Sequence, residues 1–149
     1  AEDFLNSRDA LFFEWVTPVI DYLDSKDFKI ILVSGGPDVI INYISERIRA
    51  SKSLSTKIPY DAENGRFTGQ RPDVLNDEKK VHSIENMLNA NAFSIGFGDS
   101  TGDIPMLSLV NKAFVFKSDH HPEMITAASE NNWTIFENEN EVLDQLTQI

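Results

Sequence analysis

Apolar residues along the first third of the chain change between two spacings. From Asp9 to Leu23 they recur at helical intervals and predict one amphipathic helix, in which Pro18 either produces a kink or marks where a new helix begins. Phe28–Val33 is a short apolar run rich in β-branched residues, the pattern of a strand buried on both faces of a parallel sheet. Helical spacing then returns, with Pro37 in the first turn, and continues to about Ala50.

The middle of the chain carries a turn signal and a third helical pattern. Asn64-Gly65 is a strong hairpin dipeptide, so the segment from Leu54 to Gln70 is predicted to form a β-hairpin. A helix then follows Pro72 and ends at about Asn89. Asn76 or Asp77 is its predicted N-cap.

Strand and helix patterns alternate through the remaining residues. The predicted elements are a strand at Ala92–Phe97, a helix carrying Ile104, Met106, Leu107 and Val110, a strand at Ala113–Phe116, a helix at Pro122–Asn131, a strand at Trp133–Phe136 and a helix at Glu139–Leu146 capped by Asn138. This alternation with short connections predicts an α/β fold: a Rossmann-like parallel sheet flanked by helices, with the small hairpin inserted near residues 54–70. No repeat or long linker divides it, so residues 1–149 are predicted to be one domain.

Composition excludes several kinds of partner and site. The formal net charge of -11 repels nucleic acid and anionic membrane surfaces, and it attracts cations. The absence of cysteine removes thiolate metal sites, thiol catalysis and disulfides. No apolar run approaches the ~18 residues of a membrane helix, and the acidic opening AEDFLNSRDALFFEW is unlike a signal peptide. A cytoplasmic location is therefore expected.

Two predicted strands end in small polar loops, Ser34-Gly35-Gly36 and Gly98-Asp99-Ser100-Thr101. Ligands in parallel sheets bind beyond the carboxyl ends of the strands, so these loops are expected at the same edge of the sheet. Ser34 offers a hydroxyl, and the glycines offer backbone amides near a helix start, a combination that holds anions such as phosphate. The alternative is an ordinary N-cap with a flexible turn.

Asp99 and Asp103 stand four residues apart around the second of these turns. One carboxylate could coordinate a hard cation directly while the other holds its water shell, an arrangement that Mg²⁺ prefers. The alternative is structural: Asp99 or Ser100 caps the helix, and Asp103 favours its positive end.

A third feature is the pair Lys79-Lys80 on the helix that starts near Asn76. A lysine on a flexible stem can reach a cleft and neutralise charge on a transferring phosphoryl group. A lysine of this kind is otherwise a solvated surface residue. The order strand-Ser, helix-Lys, strand-Gly-Asp is more specific than any one of its parts.

Together these motifs resemble those of the haloacid-dehalogenase-like (HAD) hydrolase superfamily, and most closely its phosphoserine-phosphatase-like branch. VSGG at Val33–Gly36, the Lys80 helix and GDSTGDIPM at Gly98–Met106 are similar to its motifs II, III and IV, and the hairpin DAENGRFTG resembles the segment between motifs II and III. The likeness runs from about Phe28 to Met124. Lys80 is chosen over Lys79 because the residues that follow it continue the family pattern.

The resemblance implies a Mg²⁺-dependent phosphomonoester hydrolase that acts on a small phosphorylated metabolite through an aspartyl-phosphate. It implies that Ser34 and the Gly35 amide bind the phosphoryl oxygens, that Lys80 stabilises charge there, that Asp99 ligates Mg²⁺, and that Asp103 positions a metal-bound water or the lysine.

The family's first motif, a strand that ends in Asp-x-Asp and supplies the nucleophile, has no counterpart among residues 1–33. The nearest candidate, Asp21-Tyr22-Leu23-Asp24, has the wrong spacing and lies on a predicted helix. The chain is therefore interpreted as a C-terminal portion that lacks the first strand and most of the cap, and it is expected to be inactive as printed. The missing strand would leave apolar edges that self-association could cover.

Two other functions compete with this interpretation. A natural non-catalytic relative would bind Mg²⁺ or a phosphorylated small molecule without turnover. A phospho-acceptor receiver domain shares the α/β layout, but that family places its acidic pair early and its lysine late, the reverse of the order here.

Overall fold

The computed structural model describes residues 12–88 and 92–149. They form two compact units, of which the first ends at Asn76 and the second begins at Asp77. Each unit combines a parallel sheet with helices, so the α/β class predicted from the sequence is confirmed. No helix in the described ranges has both the length and the apolar character needed to cross a bilayer.

The first unit is built around two parallel strands and a small hairpin. Its elements are α1 (Val16–Ser25), β1 (Ile31–Pro37), α2 (Asp38–Arg47), β2 (Lys52–Thr56), β3 (Tyr60–Asp61) and β4 (Arg66–Phe67). β1 pairs with β2 in parallel, with Val33 opposite Leu54 and Pro37 opposite Thr56, and the register shifts between these two pairs. β3 and β4 form a separate antiparallel pair.

The second unit contains a three-stranded parallel sheet in the order β5-β6-β7. Its elements are α3 (Asp77–Glu85), β5 (Ile95–Gly98), a 3₁₀ turn (Thr101–Asp103), α4 (Ile104–Leu107), β6 (Lys112–Phe116), α5 (Pro122–Glu130), β7 (Thr134–Phe136) and α6 (Glu139–Leu146). The buried residues Leu107, Ala113, Val115, Met124 and Ala128 form one hydrophobic core cluster in this unit.

The first predicted helix is shorter in the structure. Residues 12–15 form a bend and a turn, and α1 begins at Val16 with Pro18 as its third residue. Proline is tolerated in a first turn because the amides there have no partner within the helix. Pro18 thus marks the start of a helix instead of a kink, and the predicted residues 9–11 lie outside the described ranges.

The segment predicted to be only a hairpin also contains a parallel strand. Leu54 belongs to β2, beside β1, and not to the hairpin. The turn at Asn64-Gly65 is confirmed: Gly65 has a φ of 70° and its amide donates to the Asp61 carbonyl at 3.0 Å. Only glycine adopts that backbone conformation without a steric penalty.

β1 is less buried than its apolar sequence predicts. Ile31 is 38 % exposed, and none of the residues of β1 falls in the buried class. Within the described ranges β1 pairs with β2 alone, whereas β6 pairs on both edges and buries Ala113, Phe114 and Val115. The prediction of burial on both faces is therefore wrong for this strand, which among the described residues is paired along one edge only.

The helix ends of the second unit agree closely with the sequence. α6 spans Glu139–Leu146 as predicted, and the Asn138 side chain accepts a hydrogen bond from the Glu141 amide at 3.1 Å. α3 begins at Asp77, which agrees with Asn76 as the N-cap of the two predicted, but it ends at Glu85, before the predicted end at about Asn89. The other strand and helix boundaries of the second unit differ from the predictions by at most three residues, whereas β1 in the first unit ends at Pro37, four residues beyond its predicted end at Val33.

Candidate functional site

The loop after β5 is organised around the Asp103 carboxylate. Its Oδ2 atom accepts hydrogen bonds from the Asp99 amide at 3.2 Å, the Ser100 amide at 3.2 Å and the Ser100 hydroxyl at 3.0 Å. In return, the Asp103 amide donates to the Ser100 carbonyl at 2.9 Å. With Ser100 at the N-cap and Asp103 at N3, the Asp103 carboxylate thus satisfies backbone amides that have no partner within the turn. The structural alternative predicted for Ser100 and Asp103 is therefore what the structure shows.

Gly98 makes this arrangement possible. A Cβ added at Gly98 would lie 2.7 Å from Asp103 Cβ, closer than real Cβ atoms approach other atoms, and 3.0 Å from Asp103 Oδ2. The glycine at the end of β5 is therefore required by the close approach of the aspartate five residues later.

Asp99 differs from Asp103 in having an open carboxylate. Its amide is fixed by Asp103, but no hydrogen bond or ion pair holds its side-chain oxygens among residues 12–88 and 92–149, and the residue is partly buried. No group of three or more potential metal-ligating residues exists in those ranges. A cation bound here would take one protein carboxylate and complete its coordination with water or substrate oxygens, which fits Mg²⁺.

Lys80 reaches the same loop from helix α3. Its side chain is 13 % exposed, and its Nζ lies 3.4 Å from the Gly102 carbonyl oxygen and 3.5 Å from Asp77 Oδ1. Lys79, beside it in sequence, is exposed. The alternative of a solvated surface lysine therefore does not hold for Lys80, whose ammonium group is held against the loop that carries Asp99.

The Ser34-Gly35-Gly36 segment, in the first unit, forms the last part of strand β1 and is not a turn. Pro37 occupies the N-cap position of α2, and the Ser34 hydroxyl instead accepts a hydrogen bond from the Gly36 amide at 3.1 Å. The N-cap alternative for Ser34 is therefore wrong. The placement of Pro37 in the first helical turn is also off by one residue, because the helix begins at Asp38.

Thr56, at the end of β2, was not identified from the sequence. Its hydroxyl donates to the Gly35 carbonyl at 2.7 Å and accepts from the Leu75 amide at 3.1 Å. The role of Thr56 follows from the pairing of residues 52–56 with β1. The sequence predicts a hairpin from Leu54 onward and so gives no sign of this pairing.

The two aspartates of the Asp21-to-Asp24 segment form ion pairs on the surface of α1. Arg49 Nη2 lies 2.7 Å from Asp21 Oδ1 and 3.6 Å from Asp24 Oδ2. The hydrogen bond that Arg49 donates to Asp21, and the nearby charge of Asp24, raise the pKa of Arg49 above its ordinary value. These contacts place the pair on an exposed helix face and not at the end of a strand.

The predicted site residues thus lie in two groups. Lys80, Asp99 and Asp103 belong to the second unit, where Lys80 and Asp103 both contact the segment from Asp99 to Gly102. Ser34 and Gly35 belong to the first unit, at the end of a strand in a different two-stranded sheet. The convergence of the two groups on one ligand stays a prediction.

Comparison with known proteins identifies relatives of this chain. A family model described as haloacid dehalogenase-like hydrolase matches residues 1–108. A phosphoserine phosphatase of Lactococcus lactis subsp. lactis (strain IL1403) is 30% identical over 105 residues, which cover 67% of this chain and 48% of that protein. The chain therefore spans about half the length of this curated relative.

Solved structures share the fold. A phospho-aspartyl intermediate analogue of phosphoserine phosphatase matches with a TM-score of 0.67 at 19% identity and covers 87% of this chain and 61% of that chain. A substrate-bound phosphoserine phosphatase complex matches with a TM-score of 0.68 at 20% identity and the same two coverages. These likenesses establish a common architecture for most of the chain.

Proposed function

Because the chain belongs to the haloacid dehalogenase-like hydrolases, we propose that it carries the Mg²⁺-binding and phosphate-binding part of a phosphomonoester hydrolase. The proposed substrate is a small phosphorylated metabolite, and the proposed location is the cytoplasm. The net charge of -11 argues against nucleic acid as substrate.

The observation that carries this proposal is the placement of Lys80 against the loop that carries Asp99, whose carboxylate has no hydrogen-bond partner among the described residues. A lysine that is 13 % exposed loses much of its hydration, and its position needs a compensating negative charge. Asp77 supplies part of that charge at 3.5 Å, but its side chain is 62 % exposed. A phosphoryl group bound at the loop would provide the rest.

Lys80 and Ser34 have the chemistry to hold a phosphoryl group. The Lys80 ammonium would neutralise negative charge on the phosphoryl oxygens, and the preorganised positive charge would act more strongly in a partly buried position than in water. Ser34 would donate its hydroxyl hydrogen to a phosphoryl oxygen, with the Gly35 amide as a second donor.

Asp99 would hold Mg²⁺ through its open carboxylate, and the bound ion would offset charge on the phosphoryl oxygens. Asp103 would have a different role. Its Oδ2 atom already accepts three hydrogen bonds, so this carboxylate would keep the Asp99 backbone in place and could bind a metal-bound water through its other oxygen.

Hydrolysis through a covalent intermediate also needs a nucleophilic carboxylate in line with the phosphorus. No Asp-x-Asp pair occurs in residues 1–33. The 149-residue chain alone is therefore expected to bind Mg²⁺ and phosphate without turnover, and turnover is proposed for a polypeptide that also supplies such a pair. Self-association through the edge of β1 that has no strand partner in residues 12–88 and 92–149 is a further part of this proposal.

The test is hydrolysis of p-nitrophenyl phosphate by the polypeptide translated from the complete reading frame that encodes residues 1–149. We expect activity that requires Mg²⁺, is abolished by EDTA, and falls at least about 100-fold in Asp99→Asn, the loss typical of removing a main electrostatic contributor. Asp144→Asn is the matched control because Asp144 is an exposed aspartate on α6. Equal activity in wild type and Asp99→Asn would overturn the proposed function.

A further inference from the structure

A chain of hydrogen bonds leads from Leu75 to Ser34. The Leu75 amide donates to the Thr56 hydroxyl at 3.1 Å, and that hydroxyl donates to the Gly35 carbonyl at 2.7 Å. The Gly36 amide in turn donates to the Ser34 hydroxyl oxygen at 3.1 Å. All of these groups lie in the first unit.

The Gly35 carbonyl and the Gly36 amide belong to one planar peptide group, so fixing the direction of one fixes the other. Thr56 bonds the carbonyl end of this group, and Ser34 bonds the amide end. Two consecutive glycines leave the backbone free to rotate about its other dihedral angles. The Thr56 hydroxyl therefore determines which way the Gly35-Gly36 peptide faces.

The orientation of this peptide decides what the Ser34 hydroxyl can do. A serine hydroxyl has one hydrogen to donate and two lone pairs that accept. Because Gly36 occupies an accepting position, the hydroxyl hydrogen of Ser34 stays available for an external acceptor. Hydrogen bonds that follow one another in this way also polarise each other, which makes the terminal hydroxyl a better donor.

The Thr56 hydroxyl is held in one orientation by burial and by two hydrogen bonds. It is 7 % exposed, so solvent does not compete for its hydroxyl, and it uses both its donor and an acceptor position. The Leu75 backbone lies close to Gly35 as well, since a Cβ added at Gly35 would be 3.8 Å from the Leu75 carbonyl oxygen. Leu75 stands two residues before α3, the helix that carries Lys80.

We propose that Thr56 is a positioning residue that orients the Gly35-Gly36 peptide so that the Ser34 hydroxyl donates to a bound phosphate. This inference rests on the proposed function, because it assumes that Ser34 binds a phosphoryl oxygen. Thr56 makes no contact with the ligand and acts only through the backbone of β1.

The test is an NMR titration of the ¹⁵N-labelled chain with inorganic phosphate in the presence of Mg²⁺. Thr56→Val keeps the shape of the side chain and removes its hydroxyl, and we expect the phosphate dissociation constant to rise about three- to tenfold, the effect of one hydrogen bond. Thr56→Ser keeps the hydroxyl and should bind as wild type does. Ser53→Ala is the control: it removes a hydroxyl of the same strand, one that donates to Asn42, and it should leave the phosphate dissociation constant unchanged.

A second measurement uses the wild-type chain alone and remains decisive if Thr56→Val does not fold. Saturating phosphate should slow hydrogen exchange at the Leu75 amide together with the Gly36 amide, since Thr56 connects them. Protection of Gly36 without any change at Leu75 would overturn the role of Thr56, as would equal phosphate affinity in wild type and Thr56→Val. Failure of the wild-type chain to bind phosphate would contradict the proposed function itself, and the role of Thr56 with it.

Discussion

Gly98 and Asp103 are so close that the smallest side chain would not fit between them. The distance from a Cβ built on Gly98 to Asp103 Cβ is 2.7 Å. Because the contacted atom is Cβ itself and not the end of a flexible side chain, the loop would have to move to relieve the clash. This contact explains why a glycine ends β5 at the point where the acidic loop begins.

Gly98→Ala is therefore expected to destabilise the protein by about 1–3 kcal/mol, the cost of inserting a methyl group into a packed position. Gly35→Ala is the matched control. Its added methyl group would meet its nearest atom at 3.8 Å, and its φ is not positive, so it should be neutral or stabilise by up to about 1 kcal/mol through the unfolded state. Chemical unfolding of both variants measures the difference, and equal stabilities would contradict the close contact.

The Ser100 hydroxyl is expected to contribute to loop stability through its hydrogen bond to the Asp103 carboxylate. Ser100→Ala should lower the free energy of unfolding by about 1 kcal/mol and speed hydrogen exchange at the Asp99 amide, which shares the same acceptor. Ser108→Ala removes an exposed hydroxyl that bonds only within its own turn, and should change stability by less than about 0.5 kcal/mol. Unchanged exchange at Asp99 in Ser100→Ala would mean that the two hydrogen bonds are independent.

Ser55 and Ser53 lie two residues apart in β2, and replacing each with alanine should change the free energy of unfolding in opposite directions. The Ser55 hydroxyl is buried with no hydrogen-bond partner among the described residues, whereas the Ser53 hydroxyl donates to Asn42 Oδ1 at 3.1 Å. Ser55→Ala should raise the free energy of unfolding by about 1 kcal/mol, and Ser53→Ala should lower it by about 0.5–1 kcal/mol. Thermal or chemical unfolding of the two variants measures both changes. A loss of stability in Ser55→Ala would show that its hydroxyl has a partner.

Lys117 and Glu137 form an exposed ion pair at the ends of β6 and β7. The hydrogen bond that Lys117 donates to Glu137, and then the charge of Glu137, raise the pKa of Lys117 above the ordinary value of 10.5. Because the folded pKa is the higher one, the stabilisation is fully present below pH 10.5 and disappears as pH rises through the folded pKa. The free energy of unfolding should therefore fall less steeply above pH 10.5 in Glu137→Gln than in wild type, with Glu130→Gln, an exposed glutamate on α5, behaving like wild type.

The carboxyl-terminal elements were predicted well because local signals determine them. Asn138 caps α6 through its own side chain, and β6 is an apolar run whose neighbours cover both edges. In such segments the residue pattern and the tertiary environment favour the same structure.

β2 could not be found from its sequence because its polar side chains form hydrogen bonds with neighbouring elements. The side chains of Ser53 and Thr56 bond Asn42 and Gly35, so the segment Lys52–Thr56 lacks the apolar run expected of a buried parallel strand. Similarly, the Gly35-Gly36 pair indicates a turn when considered alone, but Thr56 bonds it as part of an extended strand.

The sequence predicted which residues form the candidate site, but it did not predict the contacts among them. The four-residue separation of Asp99 and Asp103 allowed either a metal site or a helix cap, and spacing alone does not distinguish them. In the structure Ser100 is the N-cap and the Asp103 carboxylate accepts from the Asp99 and Ser100 amides, whereas the Asp99 carboxylate has no hydrogen-bond partner among the described residues. The burial of Lys80 depends on packing between α3 and the loop after β5, which no local pattern encodes.

The most direct test of the central claim is to locate a bound divalent cation. Mn²⁺ takes the same oxygen ligands as Mg²⁺, and its paramagnetism broadens nearby amide signals in the ¹⁵N spectrum of the chain. We predict saturable broadening centred on Asp99 and Ser100 that Mg²⁺ competes away, that is lost in Asp99→Asn, and that is retained in Asp144→Asn. Broadening centred elsewhere, or equal broadening in Asp99→Asn, would contradict the assignment of Asp99 as the metal ligand.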